Sequence, residues 1–153
     1  CFQCDYSNTP SSGTGGNGGV VDSSFATSGS MNSSSSYRFM YTEASSNPST
    51  SFGFYIASNS VPSGKTVTIE FWYHMYGSNM GSLRCYGHQS STYKATIFNV
   101  SGQQQASQGS SFLKASGTYT TNSSTTNYVS FYGTTGSGYR SDMIVDSVRM
   151  TYS

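Results

Sequence analysis

The sequence predicts an all-β protein folded as an antiparallel sandwich or barrel, and three observations carry that prediction. Eight or more short segments alternate apolar and polar residues or are rich in β-branched and aromatic types. Gly, Ser and Asn bound nearly all of them. No stretch of ten or more residues shows a convincing 3.6-residue period, so no helix competes for the core.

The strongest segment is 67–84, V-T-I-E-F-W-Y-H-M-Y-G-S-N-M-G-S-L-R. Val67, Ile69, Phe71, Tyr73 and Met75 share one parity; Thr66, Thr68, Glu70, Trp72, His74 and Tyr76 share the other. Such alternation is a long strand, and aromatics on both faces predict a central one covered on two sides. Gly77 to Gly81 breaks the pattern and Ser82 to His88 resumes it, which reads as a hairpin with a five-residue loop. His74 and His88 then stand on opposite arms, where cross-strand packing explains them and no third metal ligand is evident.

The other segments follow in order. Residues 1–6 read as a short first strand. Residues 7–36 are Gly/Ser-rich, interrupted by Val20-Val21 and Phe25, and are either a flexible arm or a long loop holding one edge strand. The chain thus divides into a 1–36 arm with one or two short strands and a 37–153 sandwich, together one domain. Strands are expected at 37–43, with Tyr37, Phe39 and Tyr41 on one face, and at 52–57. Val61-Pro62-Ser63-Gly64 reads as a turn. Further strands are expected at 93–100, 111–115 and 128–132. In the last strand, 142–152, Met143 and Val145 have one parity and Val148 and Met150 the other. A bulge at Asp146-Ser147 brings all four to the core side.

Composition narrows the function. The 153 residues are 8% charged and 34% hydrophobic with net charge +1, against a charged fraction of about 25% in an average soluble domain. Seven scattered cations give no basic patch for nucleic acid, and no apolar run approaches the roughly 18 residues of a membrane span. Solubility then falls to hydroxyls, amides or attached sugar. The sequons at Asn32, Asn99 and Asn122 favour a secreted, extracellular glycoprotein. The sequence begins on Cys1 without Met or signal peptide, as a processed or truncated product would.

Three cysteines are present: Cys1, Cys4 and Cys85. The C-x-x-C spacing lacks two further zinc ligands and the strand-to-helix context of a redox site. If residues 1–6 are extended, Cys1 and Cys4 lie about 10 Å apart, beyond the roughly 7 Å bridging limit. One of them then pairs with Cys85, leaving the third free or linked to another chain. A tight turn instead allows a Cys1–Cys4 loop. Cys85 also reads as a buried thiol beside Leu83.

Three blocks resemble the MAM domain, an extracellular jelly-roll module of receptor phosphatases, meprins and neuropilins. They are I-E-F-W-Y-H-M-Y-G-S-N-M-G-S-L-R at 69–84, I-F-N-V-S-G-Q-Q at 97–104 and F-Y-G-T-T-G-S-G-Y-R-S-D-M-I-V-D-S-V-R-M at 131–150. Y-T-E-A-S-S at 41–46 fits as well, so the resemblance covers about residues 37–152 and the N-terminal third matches poorly. It implies a jelly-roll sandwich. The family's two usual disulfides are not matched: Thr68 stands before the central strand and Ser153 ends the sequence. The resemblance implies that acidic residues near Asp146 help hold one structural Ca²⁺ or Na⁺, with Glu43 and Asp5 as partners; the alternative is that Asp146 caps backbone amides or pairs with Arg. No other cofactor is expected.

Catalysis is not expected. No G-x-S-x-G elbow or Ser/His/Asp arrangement appears, and nothing motivates a carboxylate pair. Trp72, Tyr76 and Tyr86 are the candidate contact residues, since Tyr and Trp supply interface or sugar-stacking surface, although in MAM-like chains Trp72 fits the core. The leading expectation is a non-catalytic structural or adhesion module contacting other copies of itself or another extracellular protein, with self-assembly into matrix or filament. The arm would add a strand to a neighbour's sheet edge. The alternative is a carbohydrate-binding module recognising glycan, and a weaker third is a bacterial lipoprotein with lipid on Cys1.

Overall fold

In a computed structural model, which describes residues 2–3, 17–22, 38–44 and 47–153, ten strands form two antiparallel sheets. They are β1 (Phe2–Gln3), β2 (Asn17–Asp22), β3 (Arg38–Glu43), β4 (Ser51–Val61), β5 (Thr66–Met75), β6 (Ser82–Gln89), β7 (Thr92–Ser101), β8 (Leu113–Thr120), β9 (Thr125–Thr134) and β10 (Met143–Tyr152). One sheet runs β2-β3-β10-β5-β8 with β1 paired to β10; the other runs β4-β9-β6-β7. There is no helix among the described residues, and the jelly-roll expectation holds.

The alternation of β5 decides where the core lies. Val67, Ile69, Phe71 and Met75 are fully buried against the second sheet, with Tyr73 nearly so. Phe71 meets Phe131 of β9 edge-on at 4.9 Å and Phe98 of β7 at 5.4 Å, and Tyr73 meets Phe98 at 4.7 Å. Burying each aromatic side chain stabilises the fold by on the order of 2 kcal/mol, and the edge-to-face contacts add roughly 1 kcal/mol each.

In β10 the register shifts between Asp146 and Arg149, and Ser147 has φ of 48°. The expected bulge is therefore present, and Met143, Val145, Val148 and Met150 all face the core.

Three local expectations are corrected. β5 and β6 are not a hairpin: β10 and β8 occupy both edges of β5, so residues 76–81 carry the chain across to the other sheet, where β6 pairs with β9 and β7. That crossing is tight. A Cβ on Gly77 would sit 2.2 Å from the Arg140 carbonyl oxygen, and one on Gly81 1.8 Å from that of Thr134. β8 is Leu113–Thr120 and not 111–115, because a side chain takes over the ladder where β8 ends. Gln105 Oε1 accepts from Met75 N at 2.7 Å and its Nε2 donates to Tyr73 O at 3.0 Å. Finally, β4 continues to Val61 through a register shift between Ala57 and Ser60, which confines the following turn to residues 62–65.

The sandwich sets two stability predictions. Phe71→Ala lowers the unfolding free energy by about 3–5 kcal/mol, read from the urea midpoint. Gly87→Ala lowers it by about 1–3 kcal/mol, because its Cβ would stand 2.4 Å from the Tyr119 ring. Wild-type midpoints for both would contradict the packing described.

Candidate functional site

The residues that β6 and β9 turn away from the core form an open aromatic surface. In β6, Leu83 and Cys85 point inward, so Arg84, Tyr86 and His88 point outward; in β9, Val129 and Phe131 point inward, so Tyr128, Ser130 and Tyr132 point outward. Pairing places Arg84 opposite Tyr132, Tyr86 opposite Ser130 and His88 opposite Tyr128. The flanking β4 adds Tyr55, and β7 adds Tyr93 and Asn99.

The rings touch one another. Tyr86 lies 5.9 Å from Tyr132, 6.0 Å from Tyr93 and 6.5 Å from the His88 ring, and Tyr55 lies 5.9 Å from Tyr128. Their exposure is large even so: 44% for Tyr132, 56% for Tyr93 and 63% for Tyr55. Tyr132 leans over the bare Cα of Gly53, where a Cβ would meet two ring carbons at 3.1 Å. The Tyr93 hydroxyl is tied to Thr96 Oγ1 at 2.9 Å. These contacts hold the rings in place before any partner arrives, so little side-chain entropy remains to be lost on contact.

The polar groups of this face are donors and acceptors without a catalytic arrangement. His88 Nε2 and Ser130 Oγ share a hydrogen bond of 2.8 Å. No strand of this sheet contains Asp or Glu, so no carboxylate on it orients the imidazole. Burial holds the His88 pKa below its ordinary value, which keeps the ring neutral at physiological pH.

The singled-out residues fall in different places. Tyr86 is at the centre of the aromatic face. Tyr76 is exposed just after β5, where it lines a cleft of about 640 Å³ with His74, Phe112, Tyr139 and Arg140. Trp72 is half-buried on the outer side of the six-stranded sheet, opposite Asp146 and Lys114, and so is not in the core between the sheets. Asn99 and Asn122 are exposed, and Asn99 shares the aromatic face opposite Arg84. Asn32, Cys1, Cys4 and Asp5 lie outside the described residues. Cys85 is a free thiol in the core, and burial pushes its pKa well up, which leaves it protonated and unreactive.

Asp146 is fully buried at the bulge, where its Oδ1 accepts from Ser147 N at 2.6 Å. Glu43 is not beside it. With Ile144 opposite Tyr41, Glu43 falls level with Asp142, four residues and about 13 Å of strand from Asp146. Among the described residues no group of three acidic, His or Cys side chains could hold a metal ion.

The family-model comparison and the structural neighbours agree with this architecture. The model "MAM domain, meprin/A5/mu" matches residues 3–153, well beyond the 37–152 that the motifs covered. The chain belongs to the MAM domain family and is an extracellular adhesion-type module of β-sandwich form. Among solved structures, TmCBM61 in complex with β-1,4-galactotriose is similar at TM-score 0.64 and 9% identity, covering 89% of this chain and 82% of that one. The K1 cleaved adhesin domain of Lys-gingipain from Porphyromonas gingivalis W83 gives 0.61 and 10% over 98% and 96%. The Clostridium thermocellum xylanase 10B CBM22-1–GH10 modules complexed with xylohexaose give 0.54 and 16% over 91% and 25%, so the chain spans about a quarter of that protein. At such identities the likeness is one of fold. No helix among the described residues is long and apolar enough to cross a membrane.

The buried His74 yields a pH prediction. Burial lowers its pKa from 6.5, outweighing the opposing hydrogen bond with the Ser110 backbone. On acidification the unfolded chain therefore takes up the proton first. The stability tied to neutral His74 is complete above about pH 7.5 and is lost as pH falls through the unfolded value towards the folded one. The urea midpoint should fall between about pH 7.5 and 5, and fall less steeply in His74→Phe; parallel profiles would contradict this.

Proposed function

We propose that the protein is a secreted, non-catalytic recognition module that holds an extended glycan across the outer face of its four-stranded sheet. The observation that carries the reading is the row Tyr132, Tyr86, Tyr93, with ring centroids 5.9 and 6.0 Å apart on a face that no described residue covers. Sugars offer flat C–H faces ringed by hydroxyls. Tyrosine answers both parts, because its ring takes apolar surface while its hydroxyl keeps a hydrogen bond. Steps of about 6 Å are close to the length of one pyranose residue, so one chain can meet successive rings. Asn99, exposed on the same face, supplies a neutral donor and acceptor. The same fold stands in complex with β-1,4-galactotriose in TmCBM61, which supports the reading at the level of architecture.

Self-assembly is the second reading, favoured by the position of β2. This Gly-rich strand is the terminal strand of its sheet, pairing Asn17–Asp22 with Arg38–Glu43. A β2 supplied by another copy would make the same ladder, and with charged residues at 8% little repulsion keeps copies apart. N-glycosylation at Asn99 bears on both readings, since an attached sugar would stand beside Arg84 on the tyrosine face.

Binding of oligosaccharides to the enzymatically deglycosylated protein tests the first reading by calorimetry. Tyr86→Ala and Tyr132→Ala should each weaken binding by about tenfold, the equivalent of about 1.4 kcal/mol, with unchanged thermal midpoints. If no oligosaccharide binds, and light scattering finds association that deletion of residues 1–30 abolishes, the second reading replaces the first.

A further inference from the structure

Resting on the glycan reading, we infer that the chain held by the tyrosine face is acidic, with its carboxylate or sulfate groups read by Arg84. The charges are unevenly placed. Six carboxylates occur in the sequence: Asp5, Asp22, Glu43, Glu70, Asp142 and Asp146. None is on β4, β6, β7 or β9. Asp22, Glu43, Glu70 and Asp146 are on strands of the six-stranded sheet, and Asp142 immediately precedes β10. The four-stranded sheet instead carries Arg84 on β6 and Lys94 on β7. The six-stranded sheet also carries Arg38, Lys114 and Arg149, so its four acidic residues are nearly balanced, whereas the four-stranded sheet has two basic residues and no acidic one and is the positive layer.

Arg84 is placed to use that charge. It stands on the outer face between Tyr132 of β9 and Asn99 of β7, two residues along β6 from Tyr86. The Tyr86 and Tyr132 rings are 5.9 Å apart, so a sugar on either ring lies within reach of the guanidinium. Among the described residues the ion pair found is Lys114–Glu70, on the opposite sheet. Arg84 is exposed and has no ion-pair partner there, so its five donors are available to a ligand. A guanidinium matches a carboxylate or a sulfate through two parallel hydrogen bonds, which a neutral hydroxyl cannot offer. Lys94 lies at the register shift between Gly87 and His88 and extends the positive field along the edge strand.

The experiment titrates the deglycosylated protein, wild type and variants, with three oligosaccharides of equal length: a neutral β-linked galactan, a uronate oligomer and a sulfated oligomer. The inference expects an acidic oligomer to bind at least about tenfold more tightly than the neutral one, with the preference lost in Arg84→Gln and partly kept in Arg84→Lys. Binding should weaken as salt rises and should also weaken in Tyr86→Ala. If only one acidic oligomer binds well, that result identifies the anionic group. Equal affinity for neutral and acidic chains, unchanged in Arg84→Gln, overturns this inference and leaves the glycan reading standing. Acidic binding that ignores Tyr86→Ala overturns it as well, since charge alone would then be responsible. The absence of binding by all three removes the reading on which it rests.

Discussion

The contact of Phe71 with Phe131 and Phe98 is the constraint on which the rest of the structure depends. These three rings come from β5, β9 and β7 and lock the two sheets face to face. Because side chains alternate along a strand, fixing Phe131 and Cys85 inward fixes Tyr132, Ser130, Arg84 and Tyr86 outward. A slip of one residue in β9 would bury Tyr132 and expose Phe131, and one in β6 would bury Tyr86 and expose Leu83 and Cys85. The outer surface is therefore specified by the core.

That dependence explains which parts were legible in the sequence. The inward parity of β5 could be read directly, because five apolar residues repeat at period two without interruption. The β10 bulge could also be read, since the parity of Met143 and Val145 conflicts with that of Val148 and Met150 unless one residue is extra. Both are local patterns. The tyrosine face is not local: Tyr86 and Tyr132 are 46 positions apart in the sequence and meet only because β6 pairs with β9. The alternation of Arg84, Tyr86 and His88, and again of Tyr128, Ser130 and Tyr132, was available as a signal. Nothing in it said that the two sets share a sheet. The hairpin expected between β5 and β6 failed for the same reason. Periodicity locates strands, whereas competition for the edges of β5 decides pairing, and β10 and β8 win that competition from distant positions. The separation of Glu43 from Asp146 is likewise a matter of register that residue types do not reveal.

The scarcity of charge acquires a role in this arrangement. A sheet face without carboxylates, furnished with tyrosine, serine, threonine and amide, offers hydrogen bonds and flat apolar surface at low desolvation cost. Such a face is suited to ligands that are themselves hydroxylated and flat. It is poorly suited to acid–base chemistry, because the one Ser–His contact on it, at 2.8 Å, has no carboxylate on its own sheet to orient the imidazole. The proposed recognition by contact draws on the same feature that makes the composition unusual.

The central claim, that the outer face of the four-stranded sheet is the contact surface, is tested most directly by amide chemical-shift mapping during titration with an oligosaccharide. The account predicts shifts concentrated at Arg84, Tyr86 and His88 of β6 and at Ser130 and Tyr132 of β9, with the six-stranded sheet unperturbed. Shifts gathered instead around Trp72 or around the cleft at Tyr76 and Tyr139 would contradict it.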